Sequence, residues 1–460
     1  MLFRTAVACF TLLTLTGCEE TAVSETGKTT SLPRAAWVWN RSTPFQKEEQ
    51  TQLIEAGIQT IFWQIGELKL EDGKLAVIGQ WPLPESTDKI EFHPVVRLDS
   101  SIQDPSEVDP VELASRVKAA GATGSIQFDF DCPTRLLPRY AKLLTEFRQA
   151  YGEIDLSCTA LLSWTDSSDF AELEEAVDSI YPMFYDALPE TPQSGNRPSN
   201  ALPLIEFSTF SAQLRKWEAG VSIPWHLGLP NFRRLSIFRN GKPQGHIRSW
   251  TKEELMENPA IRFDSNGRIG TFIFQVTSPT RIGTVSLQKD DWLCFRQCDR
   301  EALAQSLEAG EQSSAESIVW YQLPREGLAS NGWSVPELAG NFHEYGFKGK
   351  AEIRENRLHL SNPGPVDIPL NPGELHKVII SSDRPFLREL EPGEFSKAVF
   401  VRNEKPVPAF AATEVSLYFH HLHAGESLAS GLFLIREPPN SLQINYSLDH
   451  GQRHKLEIVP

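Results

Sequence analysis

The feature that most constrains this chain is a regular alternation, from residue 35 to about 323, of short apolar runs with amphipathic stretches of helical period. The apolar runs fall at 35–40, 60–65, 92–98, 125–131, 155–162, 179–185, 222–229 and 317–323. Between and after them, 46–56, 111–120, 136–151, 170–177, 208–218, 300–308 and 335–342 carry the 3.6-residue spacing of helices with one buried face. Parallel strands need long crossovers, usually helical, so this pattern predicts a parallel sheet covered by helices. Eight such strands predict an α/β fold, a closed (β/α)8 TIM barrel spanning 34–345. The stretch 233–299 after the seventh strand is far too long for a loop. It carries turn signals at Asn240-Gly241 and Asn266-Gly267 between apolar runs, which predicts a β-rich insertion over the barrel mouth. After about residue 345 the helical period stops and Pro/Gly turns separate short strand-like runs, so 346–460 is expected to form a C-terminal β-sandwich. Pro182 and Pro224 fall inside strand candidates and predict an irregularity there.

The N-terminus is of another kind. Arg4 precedes an apolar run at 6–15, about half of what a membrane-spanning helix needs. That is the pattern of an export signal, here 1–17. Its end, Leu15-Thr16-Gly17-Cys18, resembles the lipobox of bacterial lipoproteins. The resemblance implies cleavage before Cys18, lipid on its thiol, and a membrane as one partner. Residues 18–33 then read as a polar tether. Glu19 is not Asp, and by resemblance to Gram-negative lipoprotein sorting this permits transfer to the outer membrane of the cell envelope. Of the remaining cysteines, Cys294 with Cys298 and Cys132 with Cys158 could form disulfides in an oxidising compartment, or all four could be buried thiols; spacing alone does not decide.

With 60 acidic against 44 basic residues the net charge is −16, which repels phosphate backbones and excludes nucleic acid as an expected partner. No P-loop, dinucleotide fingerprint or G-x-S-x-G elbow is present, and no cofactor is expected. His420, His421 and His423 cluster without an accompanying Asp or Cys set, so no metal site is expected either.

The chemically informative segment is Gly124-Ser-Ile-Gln-Phe-Asp-Phe-Asp-Cys-Pro133. Side chains alternate along a strand, so Ile126, Phe128 and Phe130 point to the helices and Gln127, Asp129 and Asp131 point into the barrel. Barrel strands normally place bulky aliphatics there. Buried carboxylates cost several kcal/mol unless paired, and barrel active sites lie at the C-terminal strand ends, where this segment finishes. The segment resembles the fourth-strand signature of glycoside hydrolase family 18, D-x-D-x-E followed by an aromatic residue and Pro. Aligned on Pro133, Gln127 takes the first Asp, Asp129 the second and Asp131 the Glu. Met183-Phe184-Tyr185-Asp186 resembles that family's M-x-Y-D, and Trp320 its barrel-floor Trp. Across most of its length the chain also resembles an uncharacterised lipoprotein family, domain of unknown function 3142.

The family 18 resemblance implies a glycan or polysaccharide as substrate. It makes Asp131 the general acid, Asp129 its charge partner and Tyr185 the donor to a substrate acetamido group. Gln127 and Asp186 would contact substrate. Two departures stand out: Asp131 is one methylene shorter than Glu, and Gln127 cannot share a proton with Asp129. Glu67, just after the second strand in the run QIGEL, is a second carboxylate that could join Asp131, or an exposed loop residue. Trp39, Trp63, Trp164, Trp225 and Trp320 fall in or near strands, and about half are expected to line the mouth as stacking platforms for sugar rings. Three functions stay open from sequence: a glycosidase of the cell envelope, a lectin-like barrel that binds without cutting, and a scaffold whose C-terminal domain docks a protein.

Overall fold

The computed structural model describes residues 31–186, 197–198, 203–247, 250–266, 270–323, 332–339, 349–364, 368, 375–422, 425–436, 442–447 and 453–459. The signal region, the tether up to residue 30 and the Asn266-Gly267 turn lie wholly or partly outside them.

Eight parallel strands form the barrel: β1 Arg34–Val38, β2 Ile58–Glu71, β3 Glu91–Leu98, β4 Ser125–Asp129, β5 Asp155–Ala160, β6 Ser179–Pro182, β7 Leu227–Pro230 and β8 Ile318–Tyr321. Each pairs with its sequence neighbour, and β8 pairs with β1. The β6–β7 joint is the loosest, held by the single bridges Ile180↔Trp225 and Met183↔Gly228. Its irregularity has a local cause. Pro182 cannot donate a ladder hydrogen bond, and Gly228 leaves room for the close approach: a Cβ there would sit 2.7 Å from the Pro182 carbonyl oxygen. Pro224 precedes β7 and interrupts nothing.

Helices cover the outside, and their starts follow from sequence. In the helix Pro110–Ala119, proline occupies the first turn, where no N–H is missed, and the Asp109 carboxylate accepts from the Val111 N–H at 2.8 Å. The helix Leu137–Tyr151 buries Leu137, Tyr140, Ala141, Leu144 and Phe147, a stripe at helical spacing, against the strands. The barrel axis is filled mainly by aromatic rings, with Val95 and Val319 beside them. Trp37, Phe62 and Tyr181 meet there, with Phe62 and Tyr181 centroids 4.9 Å apart.

After β7 comes a five-stranded antiparallel sheet ordered Lys242–Ile247, Arg233–Arg239, Trp292–Gln297, Thr271–Val276, Ile261–Asn266, with a core of its own. Its first hairpin turns at Asn240 and Gly241, both with φ near +50 to +75°, the conformation the Asn-Gly signal called for. The C-terminal part folds into a four-stranded and a six-stranded sheet that share a core including Leu360, Val378, Ile380, Leu417 and Ile444. Cys132, Cys158, Cys294 and Cys298 are all buried and unbridged by disulfides.

Candidate active site

A row of side chains runs across the barrel near its C-terminal end. Glu67 on β2 is in register with Arg97 on β3, and Arg97 with Asp129 on β4. The next strand adds Thr159, whose hydroxyl donates to Asp129 Oδ1 at 2.8 Å. Arg97 Nε lies 3.6 Å from Glu67 Oε1. The row therefore alternates in charge, negative, positive, negative, and ends on a hydroxyl. Asp131 stands two residues beyond Asp129, exposed where the strand opens into a cavity of about 470 Å³.

Each charge in the row is set by its neighbours. Asp129 lies deep in the cavity. Burial first, and then the negative charge of Asp131, push its carboxyl up to about 6, against the downward pull of Arg97 and the Thr159 hydrogen bond. Burial works against the Arg97 cation, but Asp129, Tyr321, Asp131 and Glu67 outweigh it and hold its pKa above the ordinary range.

The opposite wall is aromatic and cationic. Tyr185 stacks on Tyr321, with centroids 5.4 Å apart and planes 14° from parallel, and Phe232 meets Tyr185 edge-on at 5.6 Å. The Tyr185 hydroxyl is buried and has no hydrogen-bond partner, and neither has Gln322 Oε1. Burial drives the Tyr185 phenol well upward, so it stays a donor. Asp186, with φ of +50°, is bonded by Arg234 and, at 3.3 Å, by Arg296, both from the insertion. Its carboxylate is thus engaged in holding the inserted sheet on the barrel.

The structure brings Asp129, Asp131, Tyr185 and Asp186 to one cavity, with Glu67 beside it. Glu67 is part of β2, which runs on to Glu71, and is not a loop residue. It does not bring Gln127 there. Trp37 Nε1 donates to Gln127 Oε1 at 2.6 Å, one layer down, and Gln127 borders a separate hollow of about 240 Å³ at the other end of the barrel.

The tryptophans need the larger correction. Trp63 and Trp320 occupy the outward phase of their strands, between inward Phe62 and Gln64 and between inward Val319 and Tyr321. Trp164 donates its ring N–H to the Cys132 carbonyl at 3.0 Å, and Trp225 packs with Phe184 and Trp217, both outside the barrel wall. Trp39 faces the axis and packs on Tyr321 without lining the cavity. Among the described residues no tryptophan lines the mouth. The sequence reading missed Arg97, Thr159, Tyr321, Gln322 and the insertion arginines. Of these Arg97 had a signal: it is two residues beyond inward Val95, a charge in the inward phase of a strand.

Residues 94–234 match the family model described as Domain of unknown function (DUF3142). The DUF3142 segment starts within β3 and ends at Arg234, and it contains every residue lining the mouth except Tyr321 and Gln322. No curated protein sequence matches the chain. Among solved structures it is similar to the spore cortex-lytic enzyme SleL of Bacillus cereus (14% identity over 68% of this chain and 74% of that one, TM-score 0.40). It is also similar to chitinase ChiW of Paenibacillus sp. (11%, 93% and 55%, TM-score 0.45) and to a family GH18 chitinase of Chromobacterium violaceum (10%, 93% and 92%, TM-score 0.39).

Proposed function

We propose that this protein is a glycoside-hydrolase-like protein of the bacterial cell envelope, anchored at the outer membrane through lipid on Cys18, with Asp131 as its general acid. The observation that carries the reading is the pair of carboxylates, Asp129 at the end of β4 and Asp131 two residues beyond it, facing one cavity. Asp129 keeps its proton up to about pH 6 and can pass it to Asp131. Asp131, the exposed member, donates that proton to the glycosidic oxygen as the bond to the anomeric carbon breaks. The substrate's own acetamido oxygen bonds that carbon, as in family 18. Tyr185, whose hydroxyl lacks a protein partner, donates a hydrogen bond to the acetamido oxygen. Water then opens the cyclic intermediate, with the Asp131 carboxylate taking its proton.

One observation favours a second reading, a barrel that binds glycan without cutting it. Arg97 stands in register beside Asp129, and a fixed cation there favours the ionised form and works against storing a proton. The two readings part on Asp131→Asn, which keeps shape but cannot donate. Wild type is screened on chitin-, peptidoglycan- and polygalactosamine-type glycans for reducing ends and for binding. An enzyme releases reducing ends, loses turnover by at least 1000-fold in Asp131→Asn, on the order of general acid catalysis at its upper range, and still binds. A lectin-like barrel binds equally in both forms and cuts in neither. If a folded protein neither binds nor cuts any glycan, both sugar readings fall, and a protein partner docking at 346–460 becomes the reading to pursue.

A further inference from the structure

The mouth differs in character from a site built for neutral sugar. Neutral rings are held chiefly by stacking on aromatic faces; three aromatic residues, Tyr185, Phe232 and Tyr321, line the cavity, but charged residues outnumber them. Eight of its 17 lining residues are charged, four of each sign, in a chain that is 23% charged. The chain as a whole carries 16 more negative than positive charges, so an even balance makes the mouth less acidic than the protein around it. An anion is repelled less here than by a surface of the chain's average charge.

The charges are also arranged. The carboxylate pair stands at the end of β4, Asp129, and just beyond it, Asp131, and the insertion presents Arg233 and Arg234 to the same cavity. Arg234 lies over the Phe232 ring, 5.5 Å from its centroid, and holds Asp186 through Nη1. Its Nε is buried and has no hydrogen-bond partner. Gln322 Oε1, on the strand end beside Tyr321, is likewise buried and unpartnered. Buried polar atoms are nearly always satisfied by protein, water or ligand. Three are left over here, the Tyr185 hydroxyl already assigned to the acetamido oxygen, a cationic donor and a neutral acceptor, and all belong to residues lining one cavity.

We propose that the mouth takes an acidic glycan, one whose sugar ring carries an anionic substituent, with the anion received by Arg234 Nε–H and a neighbouring hydroxyl or N–H of the same glycan donating to Gln322 Oε1. This rests on the glycan reading above and adds the class of sugar. Arg suits the role because its planar fork can hold Asp186 with one N–H and a ligand anion with another. The insertion then has a task beyond covering the barrel: it supplies the charge that selects the substrate.

The test compares one backbone with and without its charge. Wild-type protein is titrated with a uronate-containing N-acetylhexosamine polymer and with the same polymer after carboxyl reduction; a sulfated N-acetylhexosamine polymer tells the two anions apart. The charged forms are expected to bind about tenfold or more tightly than the reduced one, the worth of one charge-assisted hydrogen bond. The preference should shrink as salt rises from about 0.05 to 0.5 M, in proportion to screening. Arg234→Gln should remove most of it. Should that variant fail to fold for loss of the Asp186 contact, the wild-type preference and its salt dependence decide alone. Equal binding or cutting of charged and reduced polymers overturns the acidic-glycan proposal and leaves the glycan reading standing. Absence of binding to every polymer overturns both.

Discussion

Asp129→Asn should make the protein more stable at pH 8 and leave it nearly unchanged at pH 4. In the folded chain the Asp129 carboxyl is pushed up to about 6 from its ordinary value of 3.8, by burial first and Asp131 second. A group whose folded pKa is raised contributes stability that is fully present below the unfolded value and lost as pH rises through the folded one. At about 1.4 kcal/mol per pH unit, the ionised Asp129 costs the fold about 3 kcal/mol above pH 6. Asparagine is isosteric, and its Oδ1 still accepts from Thr159, which sits 2.8 Å from Asp129 Oδ1. Arg97 keeps Glu67 at 3.6 Å but loses one attractive charge, which offsets part of the gain. The net expectation is a stabilisation of about 1–3 kcal/mol at pH 8, rising from near zero between pH 4 and 6. Urea unfolding of both forms, followed by tryptophan fluorescence at pH 4, 6 and 8, measures it without any substrate. A difference that is flat across the three pH values would refute a raised Asp129, and with it the proton store invoked for Asp131.

Trp63→Phe should cost about 1–3 kcal/mol of stability, because Trp63 is fully buried against Phe45 and Phe92 on the outer face of β2. Glycan affinity should stay within about twofold, since the ring is far from any stacking role; a large affinity loss at unchanged stability would contradict its placement. Cys18→Ala should release the protein from the membrane fraction or leave the precursor uncleaved, and normal attachment of that variant would end the lipid-anchor proposal.

The barrel was legible because its signals are local. Each strand announces itself as a short apolar run, and a helix stripe such as Leu137, Tyr140, Ala141 and Leu144 is visible in fifteen residues. The inward phase of Gln127 and Asp129 was legible for the same reason, since period two fixes which face of β4 they share, although Gln127 lies a layer below the cavity that Asp129 and Asp131 line. What failed was phase. About half of the five tryptophans in or near strands were expected at the mouth, but at Trp63 and Trp320 the neighbours Phe62 and Gln64, or Val319 and Tyr321, hold the inward phase. The same rule, applied to β3, picks out Arg97 two residues beyond Val95. The insertion arginines were out of reach: Arg296 and Asp186 are 110 residues apart, and only the folding of the inserted sheet, whose central strand Trp292–Gln297 carries Arg296, brings them together.

The departures from the family 18 pattern make physical sense once taken together. In D-x-D-x-E the first Asp can share a proton with the second. Here Gln127 occupies the first position and is spent on Trp37, a layer below the mouth. A buried Asp129 with neither a proton-sharing neighbour beneath it nor a counter-charge would be costly in its ionised form. Arg97, entering sideways from β3 in register with Asp129, supplies that counter-charge, and Glu67 in turn balances Arg97. The vertical pairing along one strand is thus replaced by a horizontal row across three. The replacement has a chemical consequence. A shared proton beneath Asp129 can move away when its partner needs charge, whereas an arginine cannot give up its proton, so any proton the site stores must lie on Asp129 or Asp131 themselves. Catalysis in such a site would be confined to the acidic side of the Asp129 titration near pH 6, while binding through the arginine edge would persist above it.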